Sequence, residues 1–364
     1  MSKMKTIKLD LKKRSYNIIV GSNIMKFLGT HIAKLNIGRD AYIITNASIK
    51  NKYGKTLDRT LKQSGFTTRF KLIPDTEESK SIGMASSVIE DIVRYDKKKR
   101  VFIIALGGGV IGDLAGFIAS IYKRGTPYIQ VPTTLLAQID SGIGGKTAVD
   151  LIQGKNLIGA FYQPRLVFSD AGVLKTLGLK QLQSGLAEAI KYGIIKDPQL
   201  FVYLEKKYQD ILGLKQPALG FIVRRCSLIK AKIVQQDERE EKGIRTILNF
   251  GHTLGHAIEA AGDYKGYNHG EAIALGMLVA SDISRNLRLI NHKIFQRIEN
   301  LIKAVGLPTR IQKVSLKNII EAHYRDKKFI GAKNRFVLIK GIGKTKVVEN
   351  IPLGIIKENL KKRF

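Results

Sequence analysis

Short apolar runs alternate with helical patterns along the first half of the chain. Residues 5–20 alternate between apolar and polar side chains, which predicts two short strands with a turn near residues 12–15. Strands are also predicted at 41–46, 66–74, 101–106 and 128–132, and helices near 48–64, 81–95 and 114–122. The runs at 41–46 and 101–106 are compact and apolar, as is typical of buried parallel strands. Strands that alternate with helices predict a doubly wound α/β sheet.

The second half of the chain carries mainly helical patterns. The strand pattern ends at about residue 177, and one further short apolar strand is predicted at 336–344. Helices are predicted at 184–197, 199–212, 216–236, 246–262, 270–290 and 292–305. We therefore predict an α/β-plus-α protein, with an α/β domain over 1–177 and a mainly α-helical domain over 178–364.

Composition narrows the class of protein. The chain of 364 residues is 44% hydrophobic, and no run of apolar residues is long and uncharged enough to predict a membrane span. The first sixteen residues lack the apolar segment of a signal peptide. The single cysteine, Cys226, rules out an intramolecular disulfide and suits a reducing compartment. We expect a soluble cytoplasmic protein.

The net charge of +32 raises the question of nucleic-acid binding, because basic surfaces attract phosphate backbones. The basic residues are dispersed, however, and their runs are short, as at 97–100 and 361–363. The sequence shows no zinc-finger spacing, no heptad zipper and no aromatic RNA-binding signature. We therefore expect attraction for small anions rather than specific recognition of nucleic acid.

Glycines 107, 109 and 112 form a G-x-G-x-x-G pattern between a predicted strand and a predicted helix. Glycines at this turn let backbone N–H groups and a helix N-terminus approach a pyrophosphate. No acidic residue ends the following strand, 128–132, so the pattern departs from the full dinucleotide-binding motif. A tight turn without a ligand remains an alternative for these glycines.

A second glycine-rich segment, 140–150, resembles a phosphate-binding P-loop. Asp140 stands where that motif requires its first glycine, so we do not predict an ATPase. The segment does offer Lys146 in a glycine-rich loop, with Lys155 and Asn156 nearby in a further Gly-Lys-Asn run. Lysines in such loops suit phosphate or carboxylate groups. Two threonines, 133 and 134, follow a predicted strand, where ligands of doubly wound sheets bind.

The stretch 245–271 concentrates the ionisable side chains of the second half. If its first part is helical, Arg245, Asn249, His252 and His256 recur at spacings of four, three and four and share one helix face. A polar face that is merely solvated is the alternative. Glu188 and Lys191 lie three residues apart on another predicted helix, where a surface ion pair is the alternative.

These residues include a plausible metal site. His252, His269 and Glu188 offer the nitrogen and carboxylate ligands that suit zinc, and three protein ligands leave one position for a substrate. His252 and His256 could instead both bind the metal, and spacing alone does not choose between the two sets. Glu271 is a candidate to hydrogen-bond a ligating histidine. We expect structural or surface roles for His31, His292 and His323.

Several motifs together resemble the 3-dehydroquinate synthase family, over residues 70 to 345 and in the family's order. The motifs are GGGVIGDLAGF, VPTTLLAQIDSGIGGKTAVD, GKNLIGAFYQP, SGLAEAIKYGII, DEREEKGIRTILNFGHTLGHAIE and NHGEAIALGM. The resemblance implies a Rossmann-like NAD-binding domain followed by a helical metal- and substrate-binding domain. It also implies NAD, one divalent metal (zinc or cobalt) and a homodimer.

The resemblance further implies a carbon–oxygen lyase of the shikimate pathway. Such an enzyme converts 3-deoxy-D-arabino-heptulosonate 7-phosphate into 3-dehydroquinate and phosphate. It does so by transient NAD-mediated oxidation, phosphate elimination, reduction and an intramolecular aldol reaction. The alternatives are another sugar-phosphate cyclase and a metal-dependent polyol dehydrogenase.

The resemblance also implies roles for individual residues. The metal ligands are Glu188, His252 and His269, which leaves His256 to the substrate. The implied NAD contacts are Asp75, Thr76, Glu77, Glu78, Ser79, Lys80, Gly109, Val110, Ile111, Gly112, Asp113, Thr133, Thr134, Lys146, Lys155, Val173, Leu174, Lys175 and Thr176. The implied substrate contacts are Arg124, Asp140, Lys146, Asn156, Lys191, Lys230, Arg245, Asn249, His256 and Lys327. Lys328 adjoins Lys327, so either of the two could make the last contact.

The sequence departs from the family pattern in three loops. Thr76 stands where the family has glycine between aspartate and glutamate, so a positive φ there would be hard to accommodate. The usual serine pair before the glycines is Ser141-Gly142, and the segment 237–245 is one residue longer than in the family. None of these departures changes a predicted metal ligand or a predicted lysine contact.

Overall fold

The computed structural model describes residues 4–330 and 334–364, without the side chains of residues 325–330. The chain forms two compact units, and each contains two stretches of sequence. The first unit comprises Met1–Leu177 and Leu219–Arg239, and the second comprises Gly178–Ala218 and Glu240–Phe364. Across the described residues, every helix is too short or too polar to cross a membrane.

The first unit contains a seven-stranded sheet and a separate hairpin. The strands are β1 (Lys5–Leu9), β2 (Tyr16–Gly21), β3 (Asp40–Thr45), β4 (Thr67–Leu72), β5 (Val101–Gly107), β6 (Tyr128–Pro132), β7 (Lys146–Leu151), β8 (Gly154–Phe161) and β9 (Leu166–Asp170). The sheet order is β1-β2-β9-β6-β5-β3-β4, and β7 and β8 form the hairpin. Only the β1–β2 pair of the large sheet is antiparallel, so the predicted doubly wound α/β fold is confirmed.

The helices of this unit cover both faces of the sheet. They are α1 (Leu28–Ala33), α2 (Ala47–Ile49), α3 (Lys55–Gln63), α4 (Ile82–Tyr95) and α5 (Gly109–Ile121), and the unit also contains α8 (Gln216–Gln236) from Leu219 onward. Successive residues of β3 enter two different apolar clusters: Ala41 and Ile43 pack in one, and Tyr42 and Ile44 in the other. A strand buried on both faces has no polar side to show, which explains its continuous apolar sequence.

The second unit is mainly helical. Its helices are α6 (Leu179–Ile195), α7 (Pro198–Leu212), the first residues of α8 (Gln216–Gln236), α9 (His252–Ala261), α10 (His269–Asn286), α11 (His292–Ala304), α12 (Leu316–Ile330) and α13 (Leu353–Lys361). Two antiparallel strands, β10 (Arg335–Gly341) and β11 (Lys344–Glu349), complete it. Helix α10 is buried on all sides from Ala272 to Ser284, as expected for the central helix of a bundle.

The structure corrects the helix predicted at 246–262. Residues Ile244–Asn249 form a separate 3-10 helix, and α9 begins only at His252. Gly251, between them, has a φ of 80°, and a Cβ there would lie 2.8 Å from the Met277 backbone nitrogen. This close approach of α10 excludes a side chain at Gly251 and breaks the helix. The expected single face that joined Arg245 and Asn249 to His252 and His256 is therefore wrong.

Candidate functional site

Three histidines and one carboxylate meet in the second unit. Glu188 lies on α6, His252 and His256 lie on α9, and His269 is the first residue of α10. The Nε2 atoms of His252 and His269 lie 3.5 and 3.4 Å from the same oxygen, Oε1 of Glu188. Potential ligand atoms of these three residues all lie within 4.8 Å of one another. Two imidazoles and a carboxylate around one point fit a zinc-type metal ion.

Local sequence explains how His269 reaches Glu188. A Cβ on Gly270 would lie 2.3 Å from the Cα of Ser184, so only glycine lets α10 begin against α6. Asn268 Oδ1 accepts a hydrogen bond from the Glu271 N–H at 3.0 Å, and Glu271 Oε2 accepts one from the Asn268 N–H at 2.9 Å. This capping box fixes the first turn of α10. Glu271, expected to support a ligating histidine, therefore serves the helix end instead.

Charge in this cluster is held away from water. Glu188 is fully buried, and Lys191, whose Nζ pairs with it, is 1% exposed. The alternative of a surface ion pair for these two residues is therefore wrong. Buried charges are costly unless they are paired, so a buried carboxylate that also faces two imidazoles indicates a site for a cation.

The two candidate ligand histidines differ in protonation. Burial, followed by the charge of Lys191, holds the pKa of His252 well below its usual value, so this ring is neutral and able to bind a metal. Burial also lowers the pKa of His269, but hydrogen bonds to Glu188 and Glu259 outweigh it and raise that pKa to about 10. Metal binding to His269 would therefore displace a proton.

The other predicted residues of the second unit differ in burial and in the elements that carry them. The exposed His256 ring lies 5.3 Å from the His252 ring and 6.3 Å from the His269 ring, between centroids. Arg245 is 1% exposed, with its Nε 3.2 Å from Glu240 Oε1, and it shares the separate 3-10 helix with Asn249. Lys327 belongs to α12, but its side chain is outside the described part of the structure.

A second candidate site lies in the first unit, at the carboxyl edge of its sheet. The chain passes from β3 to β4 on one side and returns to β5 on the other side of β3, which makes the β3–β5 crevice a topological switch point. Ligands of doubly wound sheets bind in such crevices. Helix α5 begins here at Gly109, directly after β5, and Thr133 follows the neighbouring strand β6.

Some buried polar atoms at this edge lack a hydrogen-bond partner among the described residues. They include Asn46 Nδ2, directly after β3, and Thr133 Oγ1, on residues that are 3% and 4% exposed. Buried polar groups are nearly always hydrogen-bonded, so these atoms fit a polar ligand such as a dinucleotide. Asn46 was not predicted as a site residue, although its place directly after a buried strand is a usable signal.

The glycine pattern at the start of α5 has a packing role of its own. A Cβ on Gly107 would lie 2.5 Å from Ile111 Cγ1, and one on Gly112 would lie 2.9 Å from Gln130 Oε1. A Cβ on Gly116, one turn further along α5, would lie 2.4 Å from Thr147 Cγ2. Packing thus accounts for these glycines whether or not a ligand binds, and the buried polar atoms are the stronger evidence for a nucleotide.

Lys80 joins three segments that the family resemblance assigns to the ligands. Its Nζ lies 2.9 Å from Asp113 Oδ2 on α5, 2.5 Å from Asn156 Oδ1 on β8 and 3.7 Å from Glu77 Oε1. Lys80 is 4% exposed, so these polar groups replace its water shell. Burial raises the pKa of Asp113, although Lys80 opposes this rise.

The loops around this network differ from expectation in two respects. Lys146 begins β7, and Lys155 and Asn156 lie on β8, so all three belong to a hairpin rather than to glycine loops. Thr76 has a φ of −131°, an extended conformation open to any residue, so its replacement of the family's glycine causes no strain. Asp75 and Glu78 are exposed in the same loop.

Three further contacts organise the remaining predicted residues of this unit. Lys230 Nζ, on α8, lies 2.6 Å from Asp140 Oδ1 in the π-helical turn Ala137–Ser141. Thr134 Oγ1 accepts a hydrogen bond from the Ala137 N–H at 3.1 Å. The Tyr53 hydroxyl donates to the Val173 carbonyl at 2.8 Å and lies 2.7 Å from Thr176 Oγ1. Tyr53 was not predicted, because only the fold brings it to residues 173–176.

Arg124 lies apart from these networks. It is exposed, has a φ of 63°, and stands between Lys123 and Gly125, whose φ values are also positive. Among the described residues its guanidinium makes no hydrogen bond or ion pair. A non-glycine pair in the left-handed region is uncommon and stores backbone strain.

The fold and the two candidate sites define a two-unit protein with a nucleotide-type sheet edge and a metal-type cluster. Two family models match residues 70–329 without a gap: the 3-dehydroquinate synthase N-terminal model over residues 70–184 and the C-terminal model over 185–329. A 3-dehydroquinate synthase of Desulforamulus reducens is 44% identical over 349 residues, which cover 96% of this chain and 97% of that protein. The chain belongs to the 3-dehydroquinate synthase family, and the resemblance read from its motifs is confirmed.

Solved structures of related cyclases share the complete fold. A 2-deoxy-scyllo-inosose synthase complexed with carbaglucose-6-phosphate, NAD+ and Co2+ is 26% identical, with a TM-score of 0.90, over 99% of this chain and 100% of that one. A 2-epi-5-epi-valiolone synthase from Streptomyces hygroscopicus, with NAD+ and Zn2+ bound, is also 26% identical. Its TM-score is 0.88 over 97% of this chain and 98% of that one.

Proposed function

We propose that the protein converts 3-deoxy-D-arabino-heptulosonate 7-phosphate into 3-dehydroquinate and inorganic phosphate, as a carbon–oxygen lyase. The observation that carries the proposal is the buried Glu188–His252–His269 cluster in a chain of the 3-dehydroquinate synthase family. The protein uses NAD and one divalent metal ion. When bound, NAD supplies a reversible hydride acceptor, and the metal supplies a Lewis acid that acidifies a substrate hydroxyl.

The second unit provides the metal site and groups beside it. Glu188, His252 and His269 hold the ion, and their donor set leaves a position open for a substrate oxygen. Lys191, held against Glu188, places a positive charge next to that position and so favours negative charge that develops on the substrate. His256 is exposed beside both ligand rings, which suits it to exchange protons with a bound substrate.

The first unit provides the dinucleotide site. The start of α5 at Gly109 offers backbone N–H groups to the pyrophosphate, and Asn46 and Thr133 offer their unpartnered polar atoms. Lys80 holds the 77–80 turn, α5 and β8 together around this edge. The remaining proposed NAD contacts are those named for the family above.

The proposed substrate carries a carboxylate and a phosphate, so its site requires several cationic and polar groups. We assign this role to Arg124, Asp140, Lys146, Asn156, Lys191, Lys230, Arg245, Asn249, His256 and Lys327. Asp140 belongs to this set because its ion pair orients Lys230. We also propose a homodimer in the cytoplasm, and light scattering of the purified protein tests the dimer.

The direct test is phosphate release from 3-deoxy-D-arabino-heptulosonate 7-phosphate by the full chain with NAD and zinc, while NADH absorbance is followed in parallel. Phosphate should appear without net NADH, because the hydride returns to the product, and chelation should abolish the reaction. If the metal-loaded protein releases no phosphate from this substrate, another sugar phosphate is indicated. NADH formed in proportion to a simple polyol would indicate a dehydrogenase.

A further inference from the structure

The two candidate ligand histidines are supported at their second ring nitrogens by different groups. His252 directs Nε2 at Glu188, and its Nδ1 lies 3.2 Å from the carbonyl oxygen of Phe250. His269 also directs Nε2 at Glu188, but its Nδ1 lies 3.5 Å from Oε2 of Glu259. One ring is thus backed by the main chain and the other by a carboxylate.

Glu259 is in a position that needs a partner of this kind. It lies on α9 in the same helix as His252 and is 6% exposed. A buried carboxylate is stable only where hydrogen bonds or charges compensate for lost hydration. The ring of His269 provides such a group, and a second carboxylate within hydrogen-bonding reach of a ligating histidine is a common way to fix its tautomer.

The charge balance of the cluster also favours a carboxylate here. A divalent ion, Glu188 and Lys191 together carry a net charge of two positive units in a largely buried space. Glu259 reduces that excess without occupying a ligand position. A neutral backbone carbonyl, such as the one behind His252, could orient a ring but could not reduce the charge.

We propose that Glu259 is a positioning residue for the metal site, which accepts a hydrogen bond from His269 Nδ1 and holds Nε2 towards the ion. The inference rests on the metal site of the proposed function. It differs from the sequence expectation, which gave this role to Glu271.

His256, Glu259 and His269 could themselves bind a cation, since their potential ligand atoms also lie within 4.8 Å of one another. His269 belongs to both groups and presents Nε2 to Glu188, and His256 is exposed whereas Glu188 is fully buried. The Glu188 group is therefore the better site. One bound metal per chain is expected, and a second ion lost on replacing Glu259 would overturn the positioning role.

The test compares Glu259→Ala, Glu259→Gln and Glu271→Gln in the full chain after metal removal. Zinc affinity is measured by competition with a chromophoric chelator, and the ligand field is read from the visible spectrum of the cobalt form. Glu271→Gln is the matched control, because it removes a carboxylate two residues from His269 that serves the capping box. Melting of the metal-free variants reports any general loss of stability.

We expect Glu259→Ala to weaken zinc binding by about 10- to 100-fold and to alter the cobalt spectrum. Glu259→Gln should weaken it less, because the amide oxygen still accepts from Nδ1, yet more than Glu271→Gln. Wild-type zinc affinity and cobalt spectrum in both Glu259 variants would overturn the proposal. So would an equal loss of affinity in Glu271→Gln. Failure of the wild type to bind metal would instead defeat the metal site of the proposed function itself.

Discussion

The two candidate sites use burial in opposite ways. In the helical unit, a fully buried carboxylate faces one lysine and two imidazoles, so the cluster is built from charged groups. At the sheet edge of the α/β unit, Asn46 and Thr133 bury neutral polar atoms that have no partner among the described residues. A compact cation requires charged or strongly donating ligands, whereas an extended dinucleotide requires many neutral hydrogen bonds and a helix N-terminus. The chemistry of each site therefore matches a different cofactor.

The sites also differ in what holds them. The metal cluster stands on three helices that pack through glycines, as at Gly270 and Gly251, so its groups are positioned by the helical core. The sheet-edge groups lie where strands end, and side-chain contacts such as those of Lys80 and Tyr53 connect them. Substitutions should consequently separate metal binding from NAD binding.

The largest effect is expected for Glu188→Ala. This change removes a proposed metal ligand and leaves Lys191 buried without its carboxylate. Loss of the metal should reduce phosphate release by a factor of about 1,000 or more, because the Lewis acid contributes several kcal/mol to the barrier. Metal content, kcat and NAD affinity are to be measured together on the purified variant.

The NAD affinity of Glu188→Ala should stay close to the wild-type value if metal binding and NAD binding are independent. Equal losses of metal affinity and NAD affinity would show that the two sites are energetically coupled, so metal binding and NAD binding would not be independent. Glu349→Ala is a suitable control, because Glu349 is an exposed carboxylate of the same unit that pairs with Arg335.

A smaller effect on turnover is expected for Lys191→Ala. In its proposed role the lysine stabilises developing negative charge without binding the metal. Its loss should then lower kcat by about 100- to 1,000-fold, as for loss of one preorganised electrostatic group. Metal content and NAD affinity should be retained. If Lys191→Ala weakened NAD binding as much as turnover, the assignment of Lys191 to the reacting centre would be wrong.

The sequence predicted much of the helical site because a helix has a regular period. The spacing of His252 and His256 placed them on adjacent turns, and both lie on α9. The same period failed for Arg245 and Asn249, because the break at Gly251 comes from packing against α10, a tertiary contact. Spacing alone also left open whether Glu188, His252 and His269 bind the metal or whether His252 and His256 both bind it.

The contacts of the sheet-edge site were harder to predict from sequence patterns. Strand ends that are adjacent in space, such as those of β3 and β5, are separated by many residues in the chain. The contact of Tyr53 with Val173 spans 120 positions, and no local pattern encodes it. Glu259 was not predicted for the same reason, because its contact with His269 depends on how α9 and α10 pack.

Lys80→Met tests the sheet-edge site. The substitution keeps most of the apolar stem of the side chain but leaves Asp113 and Asn156 without the ammonium group that joins them. NAD affinity should fall by about 10- to 150-fold, which corresponds to the loss of charge-assisted hydrogen bonds worth about 1.5–3 kcal/mol. Zinc affinity should not change, in contrast to Glu188→Ala. If Lys80→Met also lost zinc binding, the metal site would depend on the sheet-edge site, and the two would not be independent.

Tyr53→Phe is the mildest change and the sharpest probe of the same edge. It removes one hydroxyl from a half-buried ring, so the packing of the π-helical turn Lys50–Gly54 is preserved. The Val173 carbonyl and Thr176 Oγ1 then lose their shared partner, at a cost of about 1 kcal/mol, and the KM for NAD should rise about five-fold. Replacing Tyr264, an exposed tyrosine of the helical unit, by Phe provides the control. A KM for NAD equal to that of the control would show that residues 173–176 hold their conformation without Tyr53, and that the backbone alone maintains this part of the sheet edge.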